Sequence, residues 1–188
     1  MAQTTHGHIT FADTFHNKAM KTLLTNLSES IRIEMVSRQL TLSVAESCTS
    51  GLIAAALTSV DGASAYFQGG LVAYQDWMKQ TYLNVDGAAI QQYDVVSRQV
   101  VEQMVEGACQ QFHSSMAIAS TGYAGAGNGR IPAGTIWIGW GKPGDIHSQM
   151  LLLHGSRTDN TAWATASALR AFCSYLSLSR KEESEKKS

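Results

Sequence analysis

The stretch Leu40-Thr-Leu-Ser-Val-Ala-Glu-Ser-Cys-Thr-Ser-Gly51 limits what this chain can become more than any other. Leu40, Leu42 and Val44 alternate with Thr41 and Ser43, the period of a strand, whereas Leu52, Ile53, Ala56, Leu57 and Val60 recur at helical spacing. The turn from Glu46 to Gly51 lies between them. A strand that feeds a helix through such a turn aims backbone N–H groups and hydroxyls beyond its own carboxyl end, which suits an anion or a polarised carbonyl. Ser47, Cys48, Thr49 and Ser50 supply the side chains.

A chain of 188 residues with 44% hydrophobic content can bury one substantial core without disulfides or metal. The net charge of −1 lacks the basic footprint of a nucleic-acid binder, so no nucleic-acid partner is expected. Cys48, Cys109 and Cys173 are odd in number, far apart and without zinc-like spacing. They read as reduced thiols of a cytoplasmic protein, with no metal site and no disulfide framework. Neither a signal peptide nor an apolar run long enough for a membrane span is found, so no membrane partner is expected. The expected organisation is a flexible tail over residues 1–16, one domain over 17–179 and a charged tail over 180–188. His6 and His8 fall in the first tail and are given no function. His113, His147 and His154 lack carboxylate or cysteine partners at ligand spacing.

Periodicity predicts an amphipathic helix, or two shorter ones, over 17–38, then the strand and helix of the opening stretch up to the turn at Val60-Asp-Gly62. A strand follows over 65–74, with Gly69 and Gly70 marking a bulge or a close approach by a ligand or backbone. Asp76 is a plausible cap for a helix through Leu83. Further helices are expected over 96–112 and 158–179, a strand over 115–121, and a hairpin of strands 133–140 and 148–154 joined through 141–145. The order describes a three-layer α/β/α sandwich around a mixed, mainly parallel sheet with an antiparallel edge hairpin.

Ser47, Tyr74 and Thr121 each fall at the carboxyl end of a predicted strand, so parallel strands bring them to the edge where open α/β sheets bind ligands. Lys79 lies in the first turn of a helix, where the dipole and partial desolvation both lower a lysine pKa, as a proton acceptor at neutral pH requires. Two pairs of readings stay open from the pattern alone. Ser47 is a nucleophile, or Ser47 and Thr49 merely cap the helix; Lys79 is a base, or a solvated helix lysine.

Ala45-Glu-Ser-Cys-Thr-Ser-Gly51, Asp61-Gly-Ala-Ser-Ala-Tyr-Phe67, Gly69-Gly-Leu-Val-Ala-Tyr74 with Lys79, and Gly122-Tyr-Ala-Gly125 followed by Gly134-Thr-Ile-Trp137 together resemble the CinA carboxyl-terminal domain family. The likeness runs from about Met20 to Leu178 and is to the stand-alone form. It implies nicotinamide-nucleotide amidohydrolase activity, with the carboxamide of nicotinamide mononucleotide hydrolysed to the acid and ammonia. The resemblance places a serine nucleophile on Ser47, a tyrosine on Tyr74 and a lysine on Lys79. No cofactor and no metal are implied; the partner is a pyridine mononucleotide, and the assembly a homo-oligomer, for which Trp163 is a candidate contact.

Helix-start geometry makes backbone N–H groups of the Cys48–Thr49–Ser50–Gly51 turn the expected oxyanion donors. Gly69 and Gly70 are further candidates for substrate contact. Thr121 and the glycines after it, Gly122 and Gly125, are expected to hold the 5′-phosphate, and Ala124 is a further candidate for substrate contact. The chain departs from the family pattern around these residues. Ser50 replaces a glycine, Asp76 and Trp77 stand near the lysine, Tyr123 replaces isoleucine, and Gly155-Ser-Arg157 stands for Gly-Asp-Arg. These changes leave two other readings: a paralogue that binds nucleotide without turnover, or an amidase for a different small amide.

Overall fold

The computed structural model describes residues 18–185. The predicted tail over 1–16, with His6 and His8, lies outside the described residues. Helix α1 (Lys18–Ser37) is followed by β1 (Leu42–Glu46), α2 (Leu52–Thr58), a 3₁₀ turn (Ala63–Ala65) and β2 (Phe67–Val72). Next come α3 (Asp76–Leu83), α4 (Gly87–Tyr93), α5 (Arg98–Phe112), β3 (Met116–Gly122), β4 (Thr135–Lys142), β5 (Asp145–Leu152) and α6 (Arg157–Glu185). The strands form one five-stranded sheet in the order β2-β1-β3-β4-β5. β1 pairs in parallel with β2 and β3, while β3–β4 and β4–β5 are antiparallel. The expected sandwich with its edge hairpin is therefore the fold.

The two faces of the sheet are built differently because side chains alternate along a strand. Leu42, Val44, Met116, Ile118, Ile136 and Ile138 pack with buried residues of α1, α2 and α6. The opposite face presents Ala45, Ala117 and Ala119 to α3 and α5. Small residues let α5 sit close. A Cβ on Gly139 would lie 3.0 Å from Val105 Cγ2, and one on Gly107 of α5 would lie 2.0 Å from the Leu83 carbonyl oxygen at the end of α3. That second glycine is what allows α3 and α5 to meet.

Four local outcomes differ from the sequence expectation. α4 was not predicted: it is seven residues long, with Asp86 as its N-cap accepting from the Ala88 N–H. β5 begins at Asp145, where Lys142 pairs with Asp145, so the hairpin turn is only Pro143-Gly144, with Gly144 at φ 80°. α6 continues to Glu185 instead of stopping at 179. Asp76 is the first residue of α3, and the N-cap is Gln75 without a side-chain bond. No helix among the described residues is long and apolar enough to cross a membrane.

Candidate active site

Because β1 and β3 are adjacent and parallel, their carboxyl ends put the Ser47 turn beside Thr121. A cleft of about 160 Å³ opens there, lined by Ser47, Cys48, Tyr74, Val95, Val96, Thr121, Gly122, Tyr123, Ala126 and Arg157. Ser47 is 8% exposed. Its N–H is tied to the Ser120 carbonyl of β3 at 3.0 Å.

The turn is built around Glu46, the last residue of β1, which is 1% exposed and has no cationic partner among the described residues. Glu46 Oε2 accepts from Thr49 Oγ1 (2.6 Å), the Gly51 N–H (3.0 Å) and the Ile53 N–H (3.1 Å), and Oε1 accepts from the Ala54 N–H (2.8 Å). The carboxylate thus occupies the positive end of α2, satisfying N–H groups that a helix start leaves unpaired. Since the Thr49 proton goes to Glu46, Ser120 Oγ must donate the 2.6 Å bond that joins it to Thr49 Oγ1. To fold back this tightly the chain puts Ser50 at φ 54° and Gly51 at φ 95°. The left-handed serine costs about 1–2 kcal/mol. Ser50 is exposed, so the side chain that replaces glycine turns outward and does not crowd the cleft.

This geometry narrows the choice of oxyanion donors. The Ser50 N–H donates to the Ser47 carbonyl at 3.2 Å and the Gly51 N–H to Glu46. The N–H groups of Cys48 and Thr49 have no carbonyl or carboxylate acceptor among the described residues. Cys48 also borders the cleft, but it packs into the core, and burial pushes its thiol pKa up to about 12, which favours the protonated form.

Lys79 is 1% exposed and does not line the cleft. Its Nζ donates to the Tyr74 carbonyl at 3.4 Å and lies 3.7 Å from Asp76 Oδ1. Burial lowers the lysine's pKa, and Asp76 pushes the other way, weakened because that carboxylate is half exposed. Tyr74 is 50% exposed, and its hydroxyl accepts from Arg157 Nη2 at 2.8 Å. Among the described residues no hydrogen bond joins Ser47 Oγ, Tyr74 Oη and Lys79 Nζ. Lys79 meets Tyr74 only at its backbone carbonyl, and among the described residues no hydrogen bond ties either side chain to Ser47.

Of the residues expected at the substrate, Cys48, Thr121 and Gly122 line the cleft. Thr121 Oγ1 is committed to the Val95 carbonyl at 2.9 Å. Thr49 is buried in the Glu46 network, and Ala124 is buried with its carbonyl accepting from Asn160 Nδ2 at 2.8 Å. Gly69 and Gly70 serve packing: Cβ atoms there would meet Phe112 at 3.3 Å and Val44 Cγ2 at 2.3 Å. The bulge expected near them is present, since Leu42 pairs with Phe67 and Ser43 with Gly69. Gly125 lets the Arg157 side chain pass, with a Cβ there 3.3 Å from Arg157 Cβ.

Sequence reasoning gave no role to Glu46 and Asp94, and noted Tyr123 and Arg157 only as positions in altered motifs. An acid ending an apolar strand and a solitary arginine between Lys142 and Arg170 were the available signals. Asp94 carried none, yet it stands at φ 75°, ψ 154° after α4, a region that only glycine enters freely and that costs other residues about 1–3 kcal/mol. Its Oδ1 accepts from the Val96 N–H (3.0 Å) and the Tyr123 hydroxyl (3.1 Å), and its Oδ2 from Asn128 Nδ2 (2.8 Å). Among the described residues there is no group of three or more His, Cys, Asp or Glu side chains placed to hold a metal.

A family model described as CinA C-terminal domain matches residues 24–176. A CinA-like protein of Dictyoglomus thermophilum is 38% identical over 144 residues, covering 75% of this chain and 35% of that protein. One of Chlorobium limicola is 35% identical over 159 residues, covering 81% of this chain and 37% of its own length. The chain thus spans little more than a third of these relatives. The competence damage-inducible protein A (ComA) structure from Klebsiella pneumoniae superposes with a TM-score of 0.79 at 30% identity, covering 82% of this chain and 97% of the other. The competence/damage inducible protein CihA of Agrobacterium tumefaciens gives 0.78 at 30% identity, with 81% and 94% covered. This chain belongs to the CinA C-terminal domain family.

Proposed function

We propose that the protein is a nicotinamide-nucleotide amidohydrolase that works through a serine acyl-enzyme. The observation that carries this reading is Lys79, an ammonium side chain 1% exposed whose burial favours the neutral amine, beside the carboxyl end of the strand that leads to Tyr74. Ser47 Oγ attacks the carboxamide carbon while its proton passes to Lys79, directly or through Tyr74. The C–N bond then breaks, ammonia leaves with the returned proton, and water cleaves the acyl ester to release nicotinate mononucleotide and free Ser47. The Cys48 and Thr49 N–H groups are the donors left for the oxyanion. Arg157, the one cation lining the cleft among the described residues, takes over the phosphate role expected of Thr121, whose hydroxyl is engaged elsewhere. The same reading makes the protein a cytoplasmic homo-oligomer acting on a small molecule in pyridine-nucleotide salvage.

A second reading, nucleotide binding without turnover, is favoured by one observation. The Tyr74 hydroxyl is held by Arg157 at 2.8 Å, and the trio is not joined. Ammonia release from nicotinamide mononucleotide, compared between wild type and Ser47→Ala without added metal, separates the two. Release that disappears in the variant supports the amidohydrolase. No release, with the mononucleotide still raising Tm, supports the binding protein, and neither response points to a different amide.

A further inference from the structure

We propose that the Asp94–Tyr123–Asn128 triangle is the specificity wall of the cleft: it pins the Tyr123 ring and the Val95–Val96 segment at a fixed width, admitting a flat aromatic amide and refusing bulkier ones. The inference rests on the amidohydrolase reading for the kind of substrate, but not for the wall itself.

Two segments meet here, Asp94 lying 29 residues before Tyr123 and 34 before Asn128. Asp94 ends α4, Tyr123 follows β3, and Asn128 lies in the loop before β4. Besides its bond to Asp94, Asn128 Nδ2 donates to the Tyr123 hydroxyl at 3.1 Å, closing the triangle. Asn128 Oδ1 accepts from the N–H groups of Arg130 (3.0 Å) and Ile131 (2.8 Å), which folds the loop back on itself. On the other side, the Asp94 bond to the Val96 N–H and the Thr121 bond to the Val95 carbonyl fix the two valines that line the cleft. Every side-chain bond of the triangle therefore ends on a cleft-lining residue or on the loop that carries one.

The backbone at Asp94 argues that the carboxylate has a use. A residue held where glycine belongs persists only when its surroundings over-determine it, and such residues gather at ligand sites. Here the three bonds to the carboxylate do so. The Tyr123 hydroxyl donates to Asp94, so the ring cannot swing away without breaking the triangle. Burial and the Asp94 charge both raise the phenol's pKa, which keeps the donating proton in place. The cleft holds about 160 Å³, below the roughly 300 Å³ usual for a whole drug-sized ligand, so it encloses the reacting ring and leaves the rest of a nucleotide at the mouth.

The test compares wild type with Asp94→Asn, Asp94→Gly, Tyr123→Ile and the double variant Asp94→Asn/Asn128→Asp. Asp94→Asn sets a new donor against existing ones, and the second change restores an acceptor opposite it. Amide exchange over residues 123–131 should rise about tenfold in Asp94→Asn and return toward wild type in the double variant. Asp94→Gly should show the same rise without a fall in Tm, because relief of the backbone offsets the lost bonds. With nicotinamide mononucleotide, KM should rise several-fold in Asp94→Asn and Tyr123→Ile with kcat within about twofold, and Tyr123→Ile should gain on bulkier aromatic amides. Unchanged exchange in Asp94→Asn would overturn the wall whatever the activity, as would a fall in kcat at constant KM. If wild type shows no turnover while exchange responds as expected, the amidohydrolase reading fails and the wall stands. Its selectivity is then read from calorimetric affinity for the mononucleotide, and equal affinity in wild type and Tyr123→Ile would overturn that role.

Discussion

The turn after β1 and the loop after β3 end neighbouring parallel strands and border the same cleft, yet they are stabilised in opposite ways. Between Glu46 and Gly51 the side chains of Glu46 and Thr49 turn inward: a buried carboxylate gathers three N–H groups and a hydroxyl, and a buried Ser–Thr pair ties the turn to β3. From Tyr123 to Gly134 most residues are exposed, and the shape depends on the Asp94 side chain reaching across from the end of α4 and on Asn128. On the amidohydrolase reading proposed above, the first arrangement suits a nucleophile whose position must not vary. The second can be altered by changing one or two surface residues, which is where selectivity can drift without loss of the reacting groups.

The sharpest way to break this contrast is Glu46→Ala. It leaves three N–H groups and a hydroxyl facing a void, and we expect a loss of about 4 kcal/mol in urea unfolding. A loss below about 1 kcal/mol would mean that the turn holds itself. Asn128→Ala, the matching cut in the other loop, should cost only about 1–2 kcal/mol because water can replace its exposed bonds. Equal costs for the two variants would erase the distinction. Ser50→Gly should raise stability by about 1 kcal/mol, since glycine adopts φ 54° freely, and a urea midpoint that does not move would place the strain elsewhere.

The smallest effect concerns pH. Burial disfavours the charged form of Lys79, so the amine loses its proton below the ordinary lysine range and kcat/KM should rise with pH as it does. Asp76 acts to raise that pKa, so Asp76→Asn should move the rising limb of the profile to lower pH. A limb that moves to higher pH, or stays, would remove Lys79 as the base.

Much of the fold was legible because large apolar residues recur with clear period. Leu42, Val44, Ile118 and Leu169 sit in the core that their spacing predicts. α4 escaped because Gly-Ala-Ala-Ile-Gln-Gln-Tyr has too few apolar positions to show a helical stripe. The start of β5 escaped because Asp145 and His147 are polar residues on an edge strand, where polarity is tolerated. At the site, motifs located the strand ends and the residues on them. They could not reveal Arg157 meeting Tyr74 across 83 residues, or Asp94 meeting Asn128 across 34, since those contacts exist only after the sheet has formed.

The close seat of α5 on Ala117, Ala119 and Gly139 also governs something remote from the sheet centre. Val95 and Val96 stand immediately before this helix, whose N-cap Ser97 holds the Val100 N–H. Any shift of α5 is therefore transmitted to one jaw of the cleft. A single methyl group at Gly139, already 3.0 Å from Val105 Cγ2, would act as a shim under the helix. The aperture is in this sense calibrated from the middle of the sheet, and a protein engineer could retune it without touching any residue that meets the substrate.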